Sequence, residues 1–251
     1  MQVFDTIDST QIEAKRQIDL KQIIVEDVLL ANKQTSGVTT KEGIPWISCH
    51  GDLTLSMIFN IETLLKNGNI SINHIPFCVG IAMYDELFKV KKQSKYNFDI
   101  LLKWPNDWLI KKEDDEEYRK IGGVMCNDYK GHFIIGVSCN LISHPAKTQH
   151  FPATDLLSLS GIKLDNIKLA ESLVKNIKIN LQKLQSFGFN FIKQQWKKHA
   201  YMIGKILVLN DNNVVIFDDI TDEGYIYATK NGDARIVISS DEVIGGENKI
   251  Y

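Results

Sequence analysis

A five-residue string, Lys103-Trp104-Pro105-Asn106-Asp107, constrains this 251-residue chain more than any other stretch. It closes an apolar run in which Phe98, Ile100 and Leu102 alternate with Asp99 and Leu101, a strand with at least one buried face. Pro105 has no N–H for a sheet ladder and pushes Trp104 towards extended backbone, so the strand stops or bends there. Asn106-Asp107 favour a turn, and Trp108-Leu109-Ile110 open a second apolar run. Such a hairpin gathers a Lys, an Asn and an Asp at a strand end, flanked by two indoles. A solvated surface hairpin accounts for any one of these residues. It accounts poorly for two Trp beside a fixed Lys.

The rest of the chain can supply a core for that hairpin. Hydrophobic residues make up 44%, enough for one medium domain and a small one. A net charge of −2 argues against a general nucleic-acid binder. The acidic run Glu113-Asp114-Asp115-Glu116-Glu117 reads as a solvated hairpin loop. Cys49, Cys78, Cys126 and Cys139 show neither CxxC spacing nor a disulfide framework, and read as reduced thiols. No apolar stretch approaches about 18 residues, and Met1-Gln2-Val3-Phe4-Asp5 lacks the start of a signal peptide. The expectation is a soluble cytoplasmic protein. Lys is abundant, whereas the arginines are only Arg16, Arg119 and Arg235.

Val3 to Ile7 reads as a first strand, and Asp8-Ser9-Thr10 offers caps for a helix through about Leu20. Ile23 to Val25 and Val28 to Ala31 suggest one or two strands, and 37–51 a loop rich in Gly. Leu53, Leu55 and Met57 alternate with Thr54 and Ser56 in a further strand. Phe77, Ile81, Tyr84, Leu87 and Phe88 recur at helical spacing, with Gly80 allowing close approach to the sheet. Strands follow at Ile121–Cys126 and Phe133–Leu141, then a helical pattern over 166–184, a break at Gly188 and a shorter helical segment carrying Trp196. From Gly204 onward, short alternating runs separated by turns predict a small SH3-like barrel.

Lys103-Trp104-Pro105-Asn106-Asp107, followed by Lys120-Ile121-Gly122-Gly123-Val124, resembles the KWPND and K-(I/L)-(A/G)-G-(I/V) strings of the biotin–protein ligases. Asp8-Ser9-Thr10 and Ala14 match that family's DST-N-x-x-A segment, with Gln11 in place of Asn. The resemblance covers nearly the whole chain. It implies an α+β fold: a mixed central sheet flanked by helices, of the class II synthetase-like biotin/lipoate ligase type, over 1–200. The SH3-like barrel follows over 201–251. The Asp8-Ser9-Thr10 segment begins almost at Met1, leaving no room for the operator-binding helix-turn-helix that some members carry, so no DNA partner is expected.

The implied reaction joins biotin to ATP, with Mg²⁺, as biotinyl-5′-AMP, and passes the biotinyl group to a lysine of the biotin carboxyl carrier domain of a carboxylase. No membrane is involved, and a homodimer is an open alternative. A carboxylate meeting a polyanion needs positive charge and fixed donors. The resemblance therefore assigns Lys103 as the catalytic residue bridging the carboxylate and the α-phosphate. It assigns Ser9, Thr10, Gln34, Gly37 and Gly123 to biotin, and Trp46, Asn106, Asp107, Lys120 and Asn140 to the nucleotide, with no metal ligand. The sequence also departs from the family. The arginine-rich loop GRGRRGR-x-W reads Gly37-Val38-Thr39-Thr40-Lys41-Glu42-Gly43-Ile44-Pro45-Trp46, one residue longer and without arginine. Losing guanidinium forks weakens phosphate and carboxylate binding; Lys33 or Lys41 are candidate substitutes. Ser138 replaces the middle Gly of GxGxN, and Asn127 a common Glu. A non-catalytic relative that docks a carrier domain or binds biotin, and a lipoate-type ligase, are the competing expectations. His50, in the loop flank, reads as a surface residue.

Overall fold

The computed structural model describes residues 1–22, 27–40, 44–66, 70–146, 152–230, 232 and 234–243. The chain opens with β1 (Gln2–Ile7), α1 (Thr10–Asp19), β2 (Val28–Gln34) and β3 (Leu53–Asn60). The short α2 (Ile61–Leu64) leads to α3 (Ile75–Gln93), and then come β4 (Phe98–Lys103), β5 (Asp107–Lys112), β6 (Arg119–Tyr129) and β7 (His132–Cys139). After α4 (Leu156–Ser160) and α5 (Asn166–Lys197), the two-residue β8 (Ala200–Tyr201) completes an eight-stranded sheet, ordered β1-β2-β3-β7-β6-β5-β4-β8. β1 runs parallel to β2 and β8 parallel to β4, and the other neighbours are antiparallel. The sheet is therefore mixed. The expected strand at Ile23-Ile24-Val25 lies outside the described residues.

Helices cover both faces. Leu55, Met57 and Phe59 of β3 join the large core beneath α3 and α5, whereas Ile58 meets Ala14, Ile18, Leu29 and Ile134 beneath α1. Burying a side chain of this size is worth about 1.5–3 kcal/mol, so β3, buried on both faces, anchors the layers. Ser9 caps α1 by accepting the N–H of Gln11. The long α5 buries Leu169, Leu173, Ile177, Leu181 and Leu184 on one stripe, and its helical geometry is interrupted at Gly188, whose φ of 75° suits only glycine without strain. Gly80 faces Trp196 more closely than it faces the strands: a Cβ there would lie 3.4 Å from the indole nitrogen.

The C-terminal strands β9 (Ile206–Val208), β10 (Val214–Ile220), β11 (Ile226–Lys230) and β12 (Ala234–Ile238) form an antiparallel sheet ordered β12-β11-β10-β9. Where sequence spacing predicts a barrel, the described residues form an open four-stranded sheet. β9 is only three residues long, and beyond it an isolated bridge joins Leu209 to Val243. The predicted boundary at residue 200 falls within β8. His74, stacked on Phe189 at 3.9 Å, donates from Nε2 to Asp222 O, and Lys193 Nζ lies 2.7 Å from Asp222 Oδ1, so the small sheet is pinned to the main body. No helix among the described residues is long and apolar enough to cross a membrane, and all four cysteines are free thiols.

Candidate functional site

Sheet register brings together residues that lie far apart in sequence. Lys103 pairs with Asp107, Asp107 with Gly123, Gly123 with Ser138 and Ser138 with Thr54, forming one row across five strands. The next row contains Met125, Gly136 and Ser56. Directly paired residues share a face, so both rows look towards the start of α1. A cleft opens there, lined by Ser9, Thr10, Gln11 and Gln34 at one end and by Asn106, Asp107, Lys120 and Gly123 at the other.

The KWPND hairpin forms as the sequence predicts, with a cis Trp104–Pro105 bond. The indoles do not flank the lysine, however. Leu102 and Trp108 are paired and one residue out of step with Lys103 and Asp107, so they face the helices. Trp108 Nε1 donates to Gly80 O at 3.2 Å and Trp104 Nε1 to Gly224 O at 3.0 Å. Both rings hold the hairpin from behind.

On the cleft side, Asp107 lies between two cations. Its Oδ1 is 2.5 Å from Lys120 Nζ, and its Oδ2 is 3.7 Å from Lys103 Nζ. Burial disfavours the charged carboxylate, but the adjacent Lys120 and Lys103 ammonium groups outweigh it and hold Asp107 below the usual carboxylate range. Two ammonium groups and one carboxylate leave one net positive charge, suited to an anion. Lys120 lines the cleft itself, and Lys103, with 17% of its side-chain surface exposed, stands beside it across Asp107. Asn106 Nδ2 donates to Val124 O, which fixes the turn to β6.

At the opposite end, the Thr10 N–H and hydroxyl both donate to Gln34 Oε1, at 2.8 and 3.2 Å, and Ser56 Oγ donates to Thr10 Oγ1 at 2.8 Å. Gly37 bridges to Trp46, whose carbonyl leaves no room for a Cβ at 37. Trp46 lines the cleft with Val38, Thr39 and Thr40, the described residues that stand where the resemblance expects arginines. Lys41 and Glu42 lie outside the described residues. Lys33 is exposed and does not line the cleft. Arg16 pairs with Asp8 and Glu13, and Arg235 lies over Tyr227, both away from the cleft. Asn140 is buried outside the lining, donating Nδ2 to Thr154 O. His50 is exposed and pairs with Asp5.

Sequence reasoning did not single out Ser56, Met125, Gly136 or Gln11 as cleft residues. The alternation of Thr54 and Ser56 with Leu53, Leu55 and Met57 was the available signal for Ser56, since it places both hydroxyls on the face opposite the large core. For Gln11 there was only its departure from the expected Asn.

Solved structures similar to this chain include biotin protein ligases and a protein described as like them. The biotin protein ligase of Aquifex aeolicus, in complex with biotin and ATP, is 21% identical, with a TM-score of 0.73 over 96% of this chain and 95% of that one. The Leishmania major biotin protein ligase is 16% identical at a TM-score of 0.60, covering 95% and 98% of the two chains. A biotin protein ligase-like protein of unknown function from a Silicibacter species is 12% identical at 0.64, covering 95% and 94%. At such identities the likeness is one of fold. The family model for the Biotin/lipoate A/B protein ligase family matches residues 3–142, more than half of the 251, and this chain belongs to that family.

Proposed function

We propose that the protein activates biotin with ATP as biotinyl-5′-AMP and transfers the biotinyl group to a lysine of a biotin carboxyl carrier domain, in the cytoplasm. In the first step, a carboxylate oxygen bonds to the α-phosphorus and pyrophosphate leaves. In the second, a lysine amine attacks the anhydride carbonyl, AMP leaves, and the amine gives up a proton. The observation that carries this reading is the Lys103–Asp107–Lys120 cluster at one end of a cleft whose other end is the Thr10–Gln34–Ser56 network. A net positive cluster offsets the repulsion between the carboxylate and the α-phosphate. Lys103 bridges the two acids, and Asp107 holds both ammonium groups in place. Ser9, Thr10, Gln34, Gly37 and Gly123 face the acid, while Trp46, Asn106, Lys120 and, through the 152–154 segment, Asn140 serve the nucleotide end. Among the described residues, no three His, Cys, Asp or Glu side chains cluster to cage a metal. Mg²⁺, if bound with ATP, would be held mainly by the nucleotide phosphates, where it would offset their charge. Residues 1–200 carry the chemistry. Residues 201–251 are assigned to the small C-terminal unit, whose described strands form the open sheet β12-β11-β10-β9.

A second reading has a specific observation in its favour: Val38, Thr39 and Thr40 line the cleft without a guanidinium group, as suits a non-catalytic carrier-docking or biotin-binding relative. ATP–pyrophosphate exchange with biotin and with lipoate separates the cases. Exchange with biotin alone supports the proposal, exchange with lipoate alone makes the chain a lipoate-type ligase, and exchange with neither leaves the non-catalytic reading.

A further inference from the structure

Among the described residues that line the cleft, Gln11 is a buried polar side chain with its whole hydrogen-bonding capacity in reserve. Gln11 is only 5% exposed, and among the described residues neither Nε2 nor Oε1 has a partner. An amide buried in this state is costly, and a native fold keeps one where something else completes it. The neighbouring groups are already committed. Thr10 gives its hydroxyl proton to Gln34 and receives that of Ser56, and Ser9 Oγ accepts the Gln11 N–H. Gly136 gives the Gln11 amide its place: a Cβ there would overlap Nε2 and come within 3.1 Å of Cδ and 3.3 Å of Cγ, with no other residue's atoms among its nearest neighbours. Both residues line the cleft.

We propose that Gln11 is a specificity-determining residue that reads a planar –NH–CO– group of the ligand, accepting from its N–H and donating to its carbonyl, with Gly136 as its platform. This rests on the proposed function to the extent that the ligand is biotin, whose ureido ring carries such a group. Because both amide atoms are unpartnered, the argument holds whichever way the amide is turned.

The test uses titration calorimetry with two acids: biotin, and 5-(tetrahydrothiophen-2-yl)pentanoate, which keeps the sulfur ring and the chain but lacks the urea. Wild type is expected to prefer biotin by at least tenfold. Gln11→Leu, nearly the same size, is expected to bind biotin roughly tenfold to a hundredfold more weakly and the analogue unchanged, so the preference collapses. Gly136→Ala should reproduce that loss by displacing the amide, and should add little in a Gln11→Ala background, where the overlapping atoms are gone. Thermal unfolding of each variant checks that the fold is kept. A preference that survives Gln11→Leu, additive effects of the two sites, or a wild type that binds neither acid would each overturn the proposal. Binding of biotin without pyrophosphate exchange removes the ligase reading and leaves Gln11 in its role. Exchange with unchanged KM for biotin in Gln11→Leu does the reverse.

Discussion

Adjacent glycines on β6 offer a sharp test of how the sheet divides its two faces. At Gly122 a Cβ would overlap Ser138 O, and would lie 3.0 Å from Cys139 Cα and 3.1 Å from Trp108 Cε3. Two of those three atoms are backbone of the neighbouring strand, so relief requires the β6–β7 ladder to separate. Overpacking of this kind costs about 1–3 kcal/mol and more where backbone must move. At roughly 2–4 °C per kcal/mol for a chain of this size, Gly122→Ala should lower Tm by about 5–10 °C. At Gly123 the same methyl would meet Asp107 Oδ1 at 2.9 Å, Asn106 O at 3.1 Å and Lys120 Nζ at 3.6 Å, on the cleft side. Two of these are side-chain ends that can shift, and replacing a strand glycine recovers about 0.5–1 kcal/mol. Gly123→Ala should therefore change Tm by less than about 3 °C. It should still reduce pyrophosphate exchange on the order of 100-fold, because it displaces the Asp107–Lys120 pair by a fraction of an ångström to an ångström. Differential scanning fluorimetry and the exchange assay on both variants suffice. Full activity in Gly123→Ala, or equal loss of Tm in the two, would refute the assignment of the faces.

Other outcomes follow from the same geometry. Asp107 titrates lower in the folded chain than its free value of about 3.9, so its carboxylate contributes stability above that pH and loses it as pH falls through the lower folded value. The stability gap between wild type and Asp107→Asn, from urea titrations, should be constant from pH 5 to 7 and shrink below about pH 4; a gap that widens in acid contradicts the pairing. Asp52 is buried, with Oδ1 accepting from the N–H groups of Leu141 and Ile142 and Oδ2 from that of Cys49. In Asp52→Asn the amide NH₂ must face an N–H donor, and a loss of about 1–3 kcal/mol is expected by denaturant unfolding, with a change under 0.5 kcal/mol counting against it.

Much of this fold was readable because its signals are local. Ser9 caps α1, the stripe from Leu169 to Leu184 fixes α5, and Gly188 breaks its helical geometry where the sequence places the break. The KWPND hairpin is legible for the same reason. What the sequence conceals depends on register and on sides. Nothing local tells which face Trp104 and Trp108 take: Trp108 is held by α3 at Gly80 and Trp104 by the β10–β11 turn at Gly224, although their neighbours in sequence face the cleft. β8 is two residues long and exists through pairing with β4 alone, so it leaves no periodicity. The short alternating runs after Gly204 show four strands, but whether β9 meets β12 depends on register and twist that alternation cannot encode, and among the described residues the sheet stays open. Gln11 reads as a helix residue near a cap. Its importance emerges only when β7 places Gly136 beneath it.

The measurement closest to the central claim is ATP–pyrophosphate exchange, with biotin, in wild type and Lys103→Ala, each first shown to be folded by its thermal transition. Lys120 remains to pair with Asp107, so the variant should keep its Tm within a few degrees. Its exchange rate should fall by about 10²–10³ or more, as for removal of a fixed charge at a developing anion. Exchange at the wild-type rate in the folded variant would contradict the claim that this ammonium group brings the two acids together.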